Sequence, residues 1–264
     1  NKCFVSLEEM MACGVGSCKG CAVLGTDKNL KHVCEDGPFF DAEWVDWEKY
    51  APALSPSPLP RISKKTKYPM KVVLEGYDNR KLVLDYSILP ASGCLSIEAL
   101  KSGYVDIAYA GAVVTKGVKL KPTVGNPSPR ICETESGLIN SIGLENSGLE
   151  KFMDEELPYW FSLGKPVIVN IAGNSIKEYV EIAEKLSKTK IAAIELNISC
   201  PNVKDGTVFG TKREKAFKLV KAVRMATNKF LIVKLTPNVT DIADIAFHAK
   251  LGGADAISAI NTIN

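Results

Sequence analysis

The chain has 264 residues, of which 46% are hydrophobic and 24% are charged, a composition typical of a globular protein of one large or two smaller domains. Its formal net charge of +3 is too small to indicate a nucleic-acid partner or an anionic membrane surface. No apolar run approaches the roughly 20 residues of a membrane-spanning helix, and the N-terminus lacks the pattern of a signal peptide. We therefore expect a cytoplasmic protein with neither nucleic acid nor membrane as a partner.

Cysteine usage also argues for a reducing compartment. The chain has eight cysteines, and four of them fall between Cys13 and Cys34. A secreted disulfide scaffold would be short and rich in cysteine throughout, whereas this chain is long with one local cluster. The chain has only two histidines, which leaves little scope for chemistry that relies on His as an acid, a base or a zinc ligand. A cytoplasmic metal centre fits this pattern better.

Residues 1–49 have the features of a small metal-binding domain. The first three cysteines of the group follow the pattern C-x4-C-x2-C, and a fourth follows after twelve intervening residues; they are Cys13, Cys18, Cys21 and Cys34. This is the plant-type ferredoxin spacing for a [2Fe–2S] cluster. A structural zinc site is the alternative, but such sites usually use two C-x2-4-C pairs, and the second pair is missing here. The spacing therefore favours the cluster.

Residues 50–69 resemble a linker, and a second domain follows at residues 70–264. The linker holds five prolines and a basic patch, which favour an extended and solvated spacer. After it, Lys71–Leu74 and Lys81–Leu84 have the pattern of a hairpin, and strands then alternate with helices, of which Ser175–Ser187 and Lys212–Thr227 are the clearest. Such a linker suggests that two subunits have been fused into one chain.

The alternation of strands and helices in the second domain predicts an α/β fold of parallel strands. An eight-stranded (β/α)8 TIM barrel takes about 250 residues, so residues 70–264 provide about six of eight units. A doubly wound open sheet is the alternative, but no G-x-G-x-x-G motif follows a first strand. The predicted strands are Ser87–Ala91, Val105–Ala110, Pro166–Ala172, Ile191–Ile198, Phe230–Leu235 and Ala256–Asn261.

Four of these predicted strands carry a polar residue near their carboxyl end, and the residues concerned are Asn170, Asn197, Lys234 and Asn261. In a parallel barrel these ends meet at one mouth, where the chemistry takes place. Each asparagine alone could be a turn or cap residue. Four polar groups converging in a buried place are better explained by a polar and partly anionic ligand, because burying them without partners is costly. A flavin would satisfy this description.

The N-terminal part resembles a known family. The segment SLEEMMACGVGSCKGC and the later CEDGPFF make Cys3–Trp47 similar to the C-terminal iron–sulfur domain of the electron-transfer subunit of dihydroorotate dehydrogenase type B. The resemblance implies that the four clustered cysteines are the ligands of the [2Fe–2S] cluster. It also implies a flavin-reductase portion or partner that holds FAD and meets NAD. Because the chain starts without Met and stops directly after an apolar strand, we expect both ends to be cut from a longer protein.

The second domain resembles the catalytic subunit of the same enzyme over nearly all of Met70–Asn264. The motifs that carry this resemblance occur in the family's order. They are PASG (Pro90–Gly93), TKG (Thr115–Gly117), GNPSPR and NSIGLEN (within Gly125–Asn146), NIAG (Asn170–Gly173), NISCPN (Asn197–Asn202), VKLTPN (Val233–Asn238) and INT (ending in Asn261 and Thr262).

This second resemblance implies an oxidation of (S)-dihydroorotate to orotate in pyrimidine biosynthesis, by a homo-oligomeric enzyme. FMN would be bound by Ser92, Lys116, Gly117, Asn170, Asn197, Lys234 and Ile260. Dihydroorotate or orotate would be bound by Lys116, Asn140, Ser141, Ile142, Gly143, Leu144, Asn197, Asn202, Asn261 and Thr262. Cys200 would be the base that takes the C5 proton while hydride leaves C6 for FMN. Electrons would then pass through the cluster towards FAD and NAD.

Two other functions remain open from the sequence. One is a flavoenzyme similar to dihydropyrimidine dehydrogenase, which would act on uracil; the DGP segment of the first domain and NSIGLEN favour orotate chemistry instead. The other is a non-catalytic scaffold for electron transfer or metal binding. Cys200 and the polar strand ends argue against a barrel that has lost its site.

Overall fold

The computed structural model describes residues 4–6, 22–36, 39–47, 71–103, 105–135, 137–199 and 209–261. The chain divides into two compact units, Asn1–Tyr68 and Pro69–Asn264. None of the helices within these described residues is long and apolar enough to cross a membrane.

The first unit is built from two small antiparallel pairs of strands. Strand β1 pairs with β4 and strand β2 pairs with β3, after which a single turn of helix, α1, follows. A small apolar core of Val23, Val33, Phe40 and Val45 supports them. The bounds are β1 Phe4–Ser6, β2 Ala22–Leu24, β3 Leu30–His32, α1 Val33–Asp36 and β4 Phe39–Asp41.

Of the four predicted cluster ligands, only Cys34 falls within the described residues, as part of α1, and its side chain is not described. Cys13, Cys18 and Cys21 lie outside the described residues. Within the described part of the chain, no three His, Cys, Asp or Glu side chains come together as a metal site. The iron–sulfur assignment therefore stays a prediction from the cysteine spacing.

The second unit contains one parallel sheet of five strands, in the order β13-β12-β11-β10-β7. Two antiparallel hairpins, β5–β6 and β8–β9, form separate two-stranded sheets. The strands are β5 Val72–Glu75, β6 Lys81–Leu84, β7 Val113–Val114, β8 Ile131–Thr134, β9 Gly137–Asn140, β10 Val167–Ile171, β11 Ala193–Asn197, β12 Phe230–Lys234 and β13 Ala256–Ser258.

Helices connect the strands of the parallel sheet. They are α2 Ile97–Lys101, α3 Leu149–Lys151, a π-helical turn Phe152–Glu156, α4 Leu157–Ser162, α5 Ile176–Ser187, α6 Arg213–Ala226 and α7 Ile242–Leu251, with short 3-10 turns at Tyr77–Asn79 and Phe209–Thr211. The two helices that the sequence predicts most clearly, α5 and α6, are confirmed to within one residue at each end. Ser175 caps α5 by accepting a hydrogen bond from the Glu178 backbone N–H at 3.3 Å.

The helices pack against only one face of the parallel sheet. Helix α5 buries Tyr179, Ile182, Ala183 and Leu186, a spacing of three and four residues that forms a single apolar stripe. This stripe and its counterparts on α6 and α7 join one core with alternate residues of the strands, such as Leu196. A doubly wound sheet would carry helices on both faces. In the described residues the second face carries none, so the barrel prediction is the one confirmed.

The second face of the sheet is the inner face of the barrel, and the β5–β6 hairpin covers part of it. The apolar side chains of this face form a separate core with Leu82 and Leu84, the two buried side chains of strand β6. The residues contributed by the sheet are Ala112, Val114, Ile168, Ala193, Phe230 and Ile232. They lie towards the amino ends of the strands, so the hairpin closes the end of the barrel opposite to the predicted site. The hairpin itself was predicted correctly.

Two predicted strands are wrong. Ser87–Ala91 and Val105–Ala110 contain no strand, and the short strand β7 comes later in the chain, at Val113–Val114. The first of these segments is held near the sheet by a hydrogen bond from Gly111 N–H to Ile88 carbonyl oxygen, 2.8 Å long. The side chain of Ile88 is 63% exposed, so this apolar residue is not part of a buried core. An apolar run of this length is typical of a buried strand, but both of these segments are short connections between other elements.

One buried carboxylate connects the hairpin to the sheet. The Asp255 side chain is fully buried just before β13 and accepts hydrogen bonds from Arg80 Nε at 3.1 Å and from Arg224 at 2.9 Å. It also accepts from the backbone N–H groups of Tyr77 and Leu231, each at 2.9 Å. These bonds join the turn of the β5–β6 hairpin to the first residues of strand β12.

We expect Asp255→Asn to lower the free energy of unfolding by about 3 kcal/mol, because it leaves two partly buried guanidinium groups without their carboxylate. Urea unfolding followed by circular dichroism measures this. The matched control is Asp78→Asn, which removes the exposed carboxylate that also pairs with Arg80, at 3.2 Å, and should change stability by less than about 0.5 kcal/mol. Equal unfolding midpoints for the two variants would contradict the role given to Asp255.

Candidate functional site

Polar side chains replace apolar ones on the inner face of the sheet as the strands approach their carboxyl ends. Side chains alternate between the two faces of a strand, so Asn170 shares the inner face with Ile168, and Lys234 shares it with Ile232. Strand pairing places Asn170 beside Glu195 and Asn197 beside Lys234. All four polar residues are at most 8% exposed. The predicted convergence of polar groups at one end of the sheet is therefore present.

The Asn197 side chain is the centre of a hydrogen-bond network at the end of strand β11. Its Oδ1 atom accepts from the backbone N–H of Ser199 at 3.3 Å, from the Ser199 hydroxyl at 2.6 Å and from Asn261 Nδ2 at 3.2 Å. Asn261 Nδ2 also contacts the Ser199 hydroxyl oxygen. On the helix side, the Tyr179 hydroxyl donates to the Asn197 carbonyl oxygen at 2.6 Å. The amide orientation of Asn197 is thus determined by its neighbours, with its Nδ2 donors directed away from them.

The Asn170 side chain is buried, and within the described residues only one of its two polar atoms has a partner. Its Nδ2 donates to Glu195 Oε1 at 2.5 Å, while its Oδ1 has no hydrogen-bond partner there. A Cβ atom placed on Gly117 would lie 3.1 Å from this Oδ1 and 3.8 Å from Leu144 Cδ2. The absence of a side chain at Gly117 therefore leaves room next to an unsatisfied acceptor. An unsatisfied buried acceptor of this kind suits a ligand that carries an N–H or O–H donor.

Lys234 is a buried cation at the end of strand β12, with 8% of its surface exposed. Among the described residues, no carboxylate lies within ion-pair distance of its ammonium group. A buried ammonium is stable only when an anion or several hydrogen-bond acceptors surround it. Together with the acceptor on Asn170, it suits a ring that has both donors and developing negative charge. The described residues therefore fit a flavin.

The loop after β7 brings Lys116 and Gly117 to the same end of the sheet. The Thr115 hydroxyl oxygen is buried, accepts from the Asn170 backbone N–H at 3.2 Å and donates to the Lys116 carbonyl oxygen at 3.1 Å. These bonds hold the loop against strand β10. The Lys116 side chain itself is exposed, so its ammonium group is accessible to an anion from solvent.

The predicted substrate loop, residues 140–144, is supported by the segment before it. Asn126 Nδ2 donates to the Ser141 hydroxyl oxygen at 2.7 Å, and the Asn126 backbone N–H donates to the Ile142 carbonyl oxygen at 3.1 Å. The loop turns through positive φ values of 76° at Gly143 and 52° at Leu144. Since the Leu144 side chain reaches the space beside Gly117, this loop borders the same site as Asn170.

Arg130 holds the two segments together. Its Nε donates to the Asn126 carbonyl oxygen at 2.6 Å, a terminal nitrogen donates to the Val124 carbonyl oxygen at 3.0 Å, and the other forms an ion pair with Glu145. The hydrogen bond from Arg130 and its positive charge lower the pKa of the exposed Glu145 carboxyl below its ordinary value. We name residues 123–130 and 140–146, joined in this way, the loop brace.

The structure brings together part of the predicted site. Gly117, Leu144, Asn170, Asn197, Lys234 and Asn261 lie around the carboxyl ends of strands β10–β12. Ser92 is half-buried in a turn, Ile260 is 39% exposed after β13, and Asn140 ends strand β9 without a described side chain. Cys200, Asn202 and Thr262 lie outside the described residues. Their roles stay predictions from the resemblance.

Sequence reasoning missed three residues that support this site, Glu195, Tyr179 and Thr115. Glu195 could have been found, because it comes two residues before Asn197 and strand alternation places both on one face. Tyr179 carries no such signal, since its place in the apolar stripe of α5 predicts only a core residue. The contact of its hydroxyl group with the end of strand β11 depends on how helix and sheet pack.

Comparison with known families gives two matches. Residues 81–264 match the family described as dihydroorotate dehydrogenase, and residues 8–46 match the iron–sulfur cluster binding domain of dihydroorotate dehydrogenase B. The second match includes all four cysteines of the predicted cluster. Each match coincides with one of the two resemblances found in the motifs.

Curated relatives agree with the first match. The catalytic subunit of dihydroorotate dehydrogenase B (NAD(+)) from Geobacter sulfurreducens is 48% identical over 184 residues, which cover 69% of this chain and 60% of the relative. The corresponding subunit from Alkaliphilus metalliredigens is 46% identical over 199 residues, covering 75% of this chain and 64% of the relative. The chain thus spans about three fifths of the length of the curated relatives it matches.

Among solved structures, the crystal structure of DHODH from Eimeria tenella in complex with ferulenol superposes with a TM-score of 0.58. The match covers 82% of this chain and 65% of that chain at 19% sequence identity. At this identity the likeness bears on the fold alone, and it supports the barrel.

We expect the Glu145 carboxyl, followed by carbon-detected NMR, to titrate below its ordinary value of 4.5, and Arg130→Gln to move the midpoint back towards that value. Because the folded-state pKa is lowered, the ion pair stabilises the loop brace fully above about pH 4.5. This stabilisation is lost as the pH falls through the folded-state pKa. Lys151→Gln, which removes an exposed cation elsewhere, should leave the midpoint unchanged. If Arg130→Gln also left it unchanged, the ion pair would not hold the brace.

Proposed function

Because this chain belongs to the dihydroorotate dehydrogenase family, we propose that it carries the site at which (S)-dihydroorotate is oxidised to orotate in pyrimidine biosynthesis. The observation that carries this proposal is the buried polar set at the carboxyl ends of strands β10–β12. Among the described residues, Asn170 offers an unsatisfied acceptor there and Lys234 a cation without a carboxylate partner. A barrel used only as a scaffold would have no reason to bury an unpartnered amide oxygen and a cation that has no carboxylate beside it.

The cofactor proposed for this site is FMN. Gly117, Asn170, Asn197 and Lys234 would surround its ring, with Ser92, Lys116 and Ile260 at its edges. When bound, this flavin supplies the acceptor for the hydride that leaves C6 of the substrate. The protein's part is to hold the ring with amide donors and acceptors, and to place the Lys234 ammonium where negative charge develops.

The substrate would lie against the same amides. A dihydropyrimidine ring presents alternating N–H donors and carbonyl acceptors, and carboxamides such as those of Asn197 and Asn261 can match both kinds of group. Asn202 and Thr262 would add further contacts. The exposed ammonium of Lys116 is available to the substrate carboxylate, and residues Asn140–Leu144 would close over the ring on the loop brace.

Cys200 is proposed as the general base. It follows the Asn197–Ser199 network directly in the chain, so that network would position the segment that carries it. The thiolate would take the C5 proton of dihydroorotate and become a neutral thiol. Since an unperturbed thiol has a pKa of about 8.5, the base form is scarce at neutral pH unless the site lowers that pKa.

The first unit is proposed to carry electrons away from this site. Four cysteines with plant-type spacing lie within the match to an iron–sulfur domain, which supports Cys13, Cys18, Cys21 and Cys34 as ligands of a [2Fe–2S] cluster. Such a cluster transfers single electrons between two-electron carriers. The partner would be a reductase domain or subunit that holds FAD and reduces NAD, in agreement with the NAD(+) in the relatives' name.

We expect the anaerobic visible spectrum of the purified protein to show flavin and iron–sulfur bands that bleach on addition of dihydroorotate and not of dihydrouracil. The discrimination arises from the carboxylate that only dihydroorotate offers to Lys116. Bleaching by dihydrouracil instead would favour a uracil reductase. Metal analysis that finds zinc in place of iron would overturn the cluster, and bands that neither compound bleaches would overturn the substrate.

We expect Cys200→Ser to slow bleaching by dihydroorotate at least about a hundredfold at neutral pH, because a serine hydroxyl is a far weaker base than a thiolate. In the unsubstituted protein the rate should rise with pH as the thiol ionises. Cys132→Ser, which replaces an exposed free thiol, is the control and should react at the original rate. A rate that stays flat from mild acid to mild alkali would exclude Cys200 as the base.

A further inference from the structure

Glu195 is a buried carboxylate for which the proposed reaction has no step. It lies on the inner face of strand β11, is 6% exposed and stands beside Asn170 of strand β10 in the register of the parallel sheet. Its Oε1 atom accepts a hydrogen bond from Asn170 Nδ2 at 2.5 Å. A carboxylate is costly to bury, so its presence at this position requires an explanation.

The chemistry of the pair determines which way the Asn170 amide faces. An ionised carboxylate can only accept hydrogen bonds, whereas a carboxamide has a donor end and an acceptor end. Glu195 therefore stabilises the orientation in which Nδ2 faces it and repels the orientation in which Oδ1 does. The backbone cannot make this choice, because the two orientations of the amide have almost the same shape.

As a consequence, the acceptor end of Asn170 is directed into the site. Its Oδ1 atom is buried with no partner among the described residues, next to the space that the missing side chain of Gly117 leaves open. With the amide reversed, the same place would present two N–H donors. The carboxylate thus decides whether this position of the site accepts or donates a hydrogen bond.

We propose that Glu195 is a positioning residue that fixes the Asn170 carboxamide with its Oδ1 towards the site, as the acceptor for the ring N–H of the flavin. The inference rests on the proposed function for the identity of the ligand. An oxidised flavin ring carries one N–H group, at N3, and this group is the expected donor. Glu195 acts only through Asn170 and touches neither substrate nor cofactor.

A purely structural role for Glu195 makes a different prediction. Glu195→Gln keeps the shape of the side chain, and its amide oxygen can still accept from Asn170, so a structural role would leave the site nearly unchanged. If Glu195 sets the amide orientation, the same substitution allows both side chains to rotate together. The nitrogen of the introduced glutamine then donates to Asn170 Oδ1, and Asn170 presents donors to the flavin N–H.

The test is a cycle of four proteins: the unsubstituted protein, Glu195→Gln, Asn170→Asp, and the double variant with both substitutions. The double variant exchanges donor and acceptor within the pair. The introduced glutamine amide would donate to one oxygen of the introduced aspartate, while the other oxygen still faces the site. Net charge is the same as in the unsubstituted protein. Glu181→Gln, on the outer surface of α5, is the control for removing a carboxylate elsewhere.

Binding of FMN, followed by the quenching of its fluorescence, is the first readout. We expect each single variant to bind FMN at least about tenfold more weakly and the double variant to recover most of that loss, as coupled neighbours do. We also expect 3-methyl-FMN, which lacks the ring N–H, to bind to the unsubstituted protein more weakly than FMN does. Glu195→Gln should bind FMN and 3-methyl-FMN with equal affinity. Circular dichroism and thermal unfolding verify that all variants fold.

The second readout does not require a flavin. With asparagine labelled in ¹⁵N, the side-chain NH2 of Asn170 should give a downfield proton signal that exchanges slowly in the unsubstituted protein and moves upfield in Glu195→Gln. The inference would be overturned if Glu195→Gln bound FMN with unchanged affinity, or if this substitution left the Asn170 signal unchanged. An Asn170 signal that responds in a protein that binds no FMN would uphold the positioning by Glu195 and overturn the proposed function instead.

Discussion

Burial of polar groups on the inner face of one parallel sheet is the constraint on which the rest of the second unit depends. Each such group loses its water and must find a partner in the protein or in a ligand. Asn170 Nδ2 and Glu195 Oε1 satisfy each other as a cross-strand pair, and Asn197 Oδ1 accepts hydrogen bonds from Ser199 and Asn261. On this inner face, among the described residues, the Asn170 amide oxygen has no hydrogen-bond partner and the buried Lys234 ammonium has no carboxylate partner, and these two groups mark the place where a ligand completes the structure.

The two ends of the sheet use buried charge in opposite ways. At the amino end, Asp255 is surrounded by two guanidinium groups and two backbone N–H groups, so its hydrogen-bonding capacity is used within the protein. At the carboxyl end, Lys234 has no carboxylate in reach within the part of the chain that the structure describes. Parallel barrels commonly separate stability and chemistry in this manner, because all strands end at the same side. The satisfied end supports the fold, and the unsatisfied end is left for binding.

The two family matches place an iron–sulfur segment and a barrel of the same enzyme on one chain. The relatives are named catalytic subunits, whereas in this chain a segment that matches the iron–sulfur cluster binding domain precedes the barrel in the sequence.

The sequence by itself determined the class of fold and the end of the sheet that carries the site. Alternating apolar strands and amphipathic helices leave few arrangements other than a parallel sheet with helices on its outer face. The polar residues Asn170, Asn197 and Lys234 were recognisable because each interrupts an apolar run where a strand ends. The motifs around them also carried the family, since their order along the chain is specific.

Only the tertiary structure decided how these polar groups are paired. The sequence could not tell that Asn170 meets Glu195, because that contact depends on the register between two strands whose residues are 25 positions apart. It also misplaced two strands, since an apolar run such as Ser87–Ala91 has the same pattern whether a sheet buries it or not. Local patterns record which residues avoid water, whereas strand register and helix packing decide which atoms of those residues meet.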